Sequence, residues 1–137
     1  MIEIKGKVSI GAGNASRNFQ EGNVENRIAS FLGVPEITSG TLNVIIEMEY
    51  SSLDDGKYDD CIDAKEYNGR EWIKIKRCKL NGFKCVIIRP YDHFHVDKFK
   101  KRIEIMSSER LRDKFNIADG DEVEIEFQGD DDWWLNS

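Results

Sequence analysis

The stretch Gly40-Thr41-Leu42-Asn43 leads directly into the apolar run Val44-Ile45-Ile46. A short apolar run with β-branched residues predicts a strand, and we expect it to cover residues 42–50. Because alternate residues of a strand point to the same face, the Thr41 hydroxyl and the Asn43 amide oxygen can share a hard cation such as Mg²⁺. This stretch therefore predicts a strand whose first residues bind a metal ion.

A loop of small residues lies about thirty residues upstream of this strand. Residues 2–10 alternate apolar and polar side chains, which predicts a half-buried strand that runs into the loop. The loop consists of Gly11, Ala12, Gly13, Asn14, Ala15 and Ser16. Backbone N–H groups of such a loop can bind phosphate oxygens. Each stretch taken alone is better explained as a turn, but the two together indicate phosphoryl transfer.

Length and charge limit the classes of protein to consider. The chain has 137 residues, 39% of them hydrophobic, and a net charge of −6. We expect one barrel domain over residues 1–128 and an acidic, aromatic tail over residues 129–137. The negative charge argues against nucleic-acid and membrane partners. Three cysteines without a C-x-x-C pair, no apolar leader and no long apolar run predict a cytoplasmic protein, which we expect to be a monomer.

The remaining pattern predicts mostly strands with about two short helices. Asn23 can begin a helix that Gly33 ends, and the Asn68-Gly69 and Asn81-Gly82 pairs predict tight hairpins. Residues 51–60 are too polar and acidic to pack well, so we expect an exposed loop there. Further strands are expected over residues 72–78, 83–88, 103–106 and 123–127, and a second helix over residues 109–115. Such regular spacing favours a small closed barrel over a parallel sheet.

In this order the features resemble the archaeal-type CTP-dependent riboflavin kinase family. They are the glycine loop, a helix, Gly-Thr-Leu-Asn, a His-containing segment, Ile103-Glu104-Ile105, Leu111-Arg112 and Gly120-Asp121. The co-linear match runs from about Lys5 to Phe127. The resemblance implies a six-stranded cradle-loop barrel that transfers the terminal phosphate of CTP to the ribityl 5′-hydroxyl of riboflavin. The products would be FMN and CDP.

The resemblance also implies roles for individual residues. Thr41 and Asn43 would ligate Mg²⁺, and Glu104 would be the catalytic carboxylate and bind the substrate together with His93. The nucleotide would be bound by Gly11, Ala12, Gly13, Asn14, Ala15, Ser16, Glu109, Arg110, Leu111 and Arg112. From the residues themselves, Glu104 lies between two isoleucines and is therefore expected to face away from the apolar core.

Departures from the family pattern leave other functions open. His93 and His95 stand where the family usually has Thr-x-His, and Ser107-Ser108 replaces an Ala-Pro pair. A CTP-dependent kinase of another small hydroxyl compound is therefore an alternative. A nucleotide-binding protein without turnover is another. Residues 111–125 also resemble swapped-hairpin barrels that act as DNA-binding regulators, but the acidic balance of the chain opposes that interpretation.

Overall fold

The chain forms a closed antiparallel β-barrel in a computed structural model that describes residues 1–10, 24–38, 40–66, 71–91 and 96–136. Within these residues the strands are β1 (Ile2–Ser9), β2 (Leu42–Ile46), β3 (Asp60–Ile62), β4 (Ile73–Leu80), β5 (Phe83–Pro90), β6 (Arg102–Met106) and β7 (Glu122–Phe127). The helices are α1 (Val24–Leu32), α2 (Leu111–Lys114) and α3 (Asp131–Leu135). Single 3-10 turns lie at Tyr50–Ser52, Ala64–Glu66 and Asp97–Phe99.

Six strands close the barrel in the order β4, β5, β6, β2, β1 and β7. Closure occurs because β7 pairs with β1 along one edge and with the second half of β4 along the other. The first half of β4 pairs with the short extra strand β3 on the same edge. The predicted mainly β, six-stranded barrel is confirmed, and every pairing is antiparallel.

Two apolar clusters stabilise this architecture. The first fills the barrel and includes Val44, Ile87 and Ile103. The second lies outside the barrel wall, where α1 packs on β4 and β5, and includes Ile28 and Ile88. Burying each such side chain contributes roughly 1.5–3 kcal/mol. The strands under α1 are therefore apolar on both faces, whereas the outer face of β1 and β2 has no such cover within the described residues.

Local turn signals were predictive where they could be tested. Gly33 ends α1 with φ 71°, the left-handed conformation that glycine adopts without strain. Asn81 and Gly82 join β4 to β5 with φ 49° and 84°, as a two-residue hairpin turn requires. The Asn68-Gly69 hairpin and the Asn23 helix start lie outside the described residues.

The prediction of a poorly packed, exposed loop over residues 51–60 was wrong in part. The Asp54 side chain is only 6% exposed and binds the Lys76 ammonium, itself 4% exposed, at 2.8 Å. Asp55 binds the same ammonium at 2.6 Å. The acidic residues pack because they neutralise a lysine buried at the barrel. The strand predicted for residues 42–50 also ends earlier, at Ile46.

The C-terminal tail folds back onto the barrel as α3. Asp130 caps this helix by accepting a hydrogen bond from the Trp133 backbone N–H at 2.8 Å. The Trp134 ring lies 6.2 Å from the Phe31 ring of α1, measured between centroids. Lys79 donates to the Trp133 carbonyl at 2.6 Å. The tail therefore connects β4 with α1 across the surface.

Candidate active site

The candidate site is a row of polar side chains on the outer face of β1, β2 and β6. Asn43 on β2 is the register partner of Ser9 on β1 and of Glu104 on β6. Paired residues of antiparallel strands project from the same face of the sheet. The neighbours of Glu104, Ile103 and Ile105, are buried in the barrel interior, so Glu104 faces outward as the alternation predicted.

Asn43 has an unusual environment for an amide. Asn43 is only 6% exposed. Its Oδ1 atom is buried and accepts no hydrogen bond from the described residues. An unsatisfied buried acceptor costs roughly 1–3 kcal/mol. A cation would supply the missing partner, because amide oxygens are good ligands for hard divalent ions.

The residues around Asn43 fit Mg²⁺ in particular. Thr41 adds a hydroxyl at the start of β2, and Glu104 adds a carboxylate from the adjacent strand. Across the described part of the chain, no group of three or more His, Cys, Asp or Glu side chains could hold a metal ion. Thr41 and Asn43 offer oxygen ligands, which suit Mg²⁺, an ion that usually retains several waters and binds substrate phosphates.

Glu104 is held in place by a neighbour and is partly shielded from water. The Thr41 hydroxyl donates to its Oε1 atom at 3.4 Å. Burial raises the pKa of the Glu104 carboxyl, while the charge of Arg102, the bond from Thr41 and the charge of Arg89 act in the opposite direction. A carboxylate with a raised pKa is a better proton acceptor near neutral pH than an ordinary one.

The backbone leading to Glu104 is fixed by hydrogen bonds to four successive carbonyl groups. The buried guanidinium of Arg89 donates to the carbonyls of Arg102 at 2.6 Å and Phe99 at 3.5 Å. The carbonyls of Lys100 and Lys101 accept backbone N–H groups from residues in and just after β2. Glu104 therefore stands on a rigid support, which is how precise binding sites are usually built.

Arg89 is a functional neighbour that the sequence analysis missed. Arg89 is only 1% exposed, although arginine is rarely buried so completely. The available signal was the alternation of β5, which gives Arg89 the same face as Cys85 and Ile87 in the barrel interior. The signal was missed because Arg89 is charged and because a proline follows it.

The structure separates the predicted nucleotide residues of the segment 109–112. Leu111 is 4% exposed and packs in the barrel core, so only its main chain is available to a ligand. Arg110 is exposed and pairs with Asp113 at 3.3 Å. Glu109 pairs with Lys114 at 3.2 Å.

Arg112 is the member of this segment that reaches the row of polar residues. Its guanidinium donates to the Ser9 carbonyl at 3.4 Å and binds Asp119 at 2.6 Å. Ser9 ends β1, directly before the predicted phosphate loop. The loop residues Gly11, Ala12, Gly13, Asn14, Ala15 and Ser16 lie outside the described residues, as does His93.

Comparison with known proteins gives a family and several curated relatives, among them three riboflavin kinases. The family model CTP-dep_RFKase, described as "Domain of unknown function DUF120", matches residues 8–127. A riboflavin kinase of Methanobrevibacter smithii is 30% identical over 132 residues, which are 92% of this chain and 100% of the relative. A riboflavin kinase of Archaeoglobus fulgidus is 28% identical over 130 residues, 91% of this chain and 54% of the relative. A riboflavin kinase of Thermoplasma volcanium is 41% identical over 54 residues, 39% of this chain and 23% of the relative.

Proposed function

The chain belongs to the CTP-dependent riboflavin kinase family, and from this premise we propose that it transfers the terminal phosphate of CTP to the ribityl 5′-hydroxyl of riboflavin. The products are FMN and CDP. The observation that carries the proposal is the grouping of Thr41, Asn43 and Glu104 on adjoining strands. These three residues are the metal ligands and the carboxylate that the family resemblance implied.

The donor side of the proposed site uses Thr41 and Asn43. Their oxygens would hold Mg²⁺, which, when bound, neutralises charge on the nucleotide phosphates. Arg112 contacts the Ser9 carbonyl at the end of β1, and its guanidinium, which also pairs with Asp119, would offer further donors to the nucleotide phosphates. Reading of the cytosine edge would fall to main-chain groups of the segment 109–112 other than the carbonyls of Arg110, Leu111 and Arg112, because these three carbonyls already accept backbone hydrogen bonds.

The acceptor side uses Glu104. In the proposed reaction its carboxylate accepts a hydrogen bond from the ribityl 5′-hydroxyl and takes the proton as the bond to phosphorus forms. The Thr41 hydroxyl supports this role, because its hydrogen bond orients the carboxylate. Burial supports it too, since it raises the pKa of the Glu104 carboxyl.

Other functions receive less support. The family assignment favours a kinase over the DNA-binding regulator, as does the net charge of −6. A kinase of another small hydroxyl compound differs only on the acceptor side. Direct assay of riboflavin separates the two.

We also propose the cytoplasm as the compartment of this reaction. Cys78 and Cys85 are register partners on neighbouring strands, and both are buried free thiols that form no disulfide. Free thiols in such close register are typical of a reducing compartment. No helix in the described ranges has the length and apolarity to cross a bilayer.

The decisive assay mixes the purified protein with riboflavin, Mg²⁺ and either CTP or ATP, and follows FMN and the nucleoside diphosphate by chromatography. We expect FMN and CDP in equal amounts, with CTP strongly preferred over ATP. Absence of FMN, together with stabilisation of the fold by CTP, would favour a different acceptor. Absence of both would exclude the kinase function.

A further inference from the structure

Arg102 lies beside the candidate site and is used by none of the roles described so far. It is two residues before Glu104 on β6, so both side chains project from the outer face of the barrel. Its register partner on β2 is Ile45, two residues after Asn43. Arg102 therefore continues the polar row by one step, beside the exposed side chain of Ile45.

The guanidinium of Arg102 has an unused hydrogen-bond donor. Its Nε atom is buried and has no acceptor within the described residues. The guanidinium carbon lies 5.7 Å from the centre of the Phe99 ring, which supports one face of the group. Such a donor gains most from a ligand that offers oxygen, because an unsatisfied buried group is unfavourable.

The position of Arg102 along the row indicates which of the two substrates it faces, the phosphate donor or the phosphate acceptor. β1 ends beside Asn43, at the end of β2 that carries Thr41, and there the chain continues toward the proposed phosphate loop. Arg102 lies at the opposite end, beside Ile45. Glu104 stands between the two ends. A group on the Arg102 side of Glu104 thus faces the acceptor rather than the nucleotide phosphates that remain on the donor.

Strand geometry places Arg102 close to the reacting position. Arg102 and Glu104 are two residues apart on β6, so their Cα atoms lie about 7 Å apart and their side chains share one face. A phosphate ester formed at Glu104 would therefore lie within the field of Arg102.

We propose that Arg102 binds the phosphoryl group as it arrives on the acceptor, and retains the phosphate monoester of the product more strongly than the unphosphorylated alcohol. The inference rests on the proposed kinase function. In the transfer step, the acceptor oxygen forms a bond to the terminal phosphorus of CTP, and the bond from that phosphorus to the bridging oxygen of CDP breaks. The bridging oxygen keeps the electron pair, and the acceptor proton goes to Glu104. Arginine suits the resulting dianion, since its donors match phosphate oxygens.

The test measures the binding of riboflavin and FMN separately, by titration of flavin fluorescence without nucleotide. The variants are Arg102→Met and Arg102→Lys, and Lys101→Met is the matched control. Lys101 is exposed and precedes Arg102 in the chain, so Lys101→Met removes the same charge without changing the polar row. Circular dichroism and a melting curve verify that each variant is folded.

We expect Arg102→Met to weaken FMN binding about tenfold or more and to leave riboflavin binding within about twofold. Arg102→Lys should lie between Met and wild type, because it keeps the charge but loses the planar donors. In turnover, kcat should fall at least tenfold in Arg102→Met with the KM for CTP unchanged. Lys101→Met should match wild type in all of these measurements.

Four results would overturn the inference. Equal weakening of both flavins would mean that Arg102 only supports packing, and no change in either would mean that it contacts no ligand. If wild type makes FMN and Arg102→Met behaves as Lys101→Met does, the inference fails and the kinase function stands. If wild type binds neither flavin and makes no FMN, both fail together.

Discussion

Asn43 combines a cost to folding with a proposed gain to catalysis. Its Oδ1 atom is buried without a donor in the described part of the chain. Asn43→Ala removes that atom, which is also the proposed metal ligand. Activity and stability should therefore respond in opposite directions. We expect kcat/KM in saturating Mg²⁺ to fall about 100-fold, which corresponds to about 2.7 kcal/mol. The free energy of unfolding should stay equal or rise by up to about 1 kcal/mol.

The control for this substitution is Asn136→Ala, which makes the same change at an exposed position in the tail. It should leave both quantities unchanged. Asn43→Asp keeps an oxygen ligand and should retain Mg²⁺-dependent turnover, with an altered dependence on Mg²⁺ concentration. A loss of stability in Asn43→Ala that matches its loss of activity would contradict the metal assignment.

Some residues of the site were predictable and others were not, for physical reasons. Glu104 was predictable because an acidic residue between two isoleucines on a strand must face away from the core. Arg112 and Ser9 could not be joined from the sequence, because their contact spans 103 residues. Arg89 was missed because hydrophobic alternation identifies an inward position only when the residue there is apolar.

At the level of elements, short-range signals were accurate and long-range packing was not. The Asn81-Gly82 hairpin depends on two residues, and the structure has it as predicted. The acidic segment over residues 51–60 packs only because Lys76 is buried across from it, and no local pattern reveals that partner. The helix α3 was likewise hidden, since its stability depends on contacts with β4, β5 and α1.

The tail should contribute measurably to stability through Trp134. The ring lies near Phe31, and the cationic groups of Arg77 and Lys84 lie 5.7 and 5.0 Å from its centre. Ring pairs contribute about 0.5–1.5 kcal/mol and exposed cation–π contacts about 0.5–1 kcal/mol each. We expect Trp134→Ala to lower the free energy of unfolding in urea by about 2 kcal/mol.

The neighbouring Leu135 supplies the control for the tail. It is 69% exposed, so Leu135→Ala should change the free energy of unfolding by no more than about 0.5 kcal/mol. A similar loss in both variants would mean that helix formation, rather than ring docking, carries the effect. No change in Trp134→Ala would mean that the tail adds nothing to the barrel.

The contact between Asp55 and Lys76 predicts a dependence of stability on pH. The hydrogen bond from Lys76 lowers the pKa of Asp55 in the folded protein, and its partial burial opposes this. A carboxyl with a lower pKa in the folded state stabilises the fold above its unfolded pKa, near 4. That contribution is lost as the pH falls through the folded value.

Melting temperatures of wild type and Asp55→Asn from pH 7 to pH 2 test this prediction. Wild type should be the more stable at pH 7, and the difference should shrink below about pH 4. Asp131→Asn is a control, since its side chain is 84% exposed and it pairs with Arg77 at the surface. A difference that stays constant with pH would show that the charge of Asp55 is not what stabilises the segment.

For the whole molecule, closure of the barrel is what assembles the site. Ser9, Asn43 and Glu104 come from β1, β2 and β6, and they meet because these strands lie side by side in the closed sheet. The sequence predicts that a barrel forms, since the short strands are regularly spaced. It does not reveal that β4 pairs with both β3 and β7 along one edge, because such pairing depends on lengths and registers far apart in the chain.

A site assembled from three strands should report ligand binding through the stability of the entire barrel. A ligand that binds only the folded state stabilises it by about 2.7 kcal/mol at 100 times its dissociation constant. For a chain of this size we expect CTP with Mg²⁺ to raise the melting temperature by about 8 °C. CTP with EDTA, or CTP with Mg²⁺ added to Asn43→Ala, should give a much smaller shift, because in the proposed site Thr41 and Asn43 would hold the metal ion that neutralises charge on the nucleotide phosphates. An equal shift with and without Mg²⁺ would mean that the phosphate loop and Arg112 bind the nucleotide without a metal ion, and Thr41 and Asn43 would then need another role.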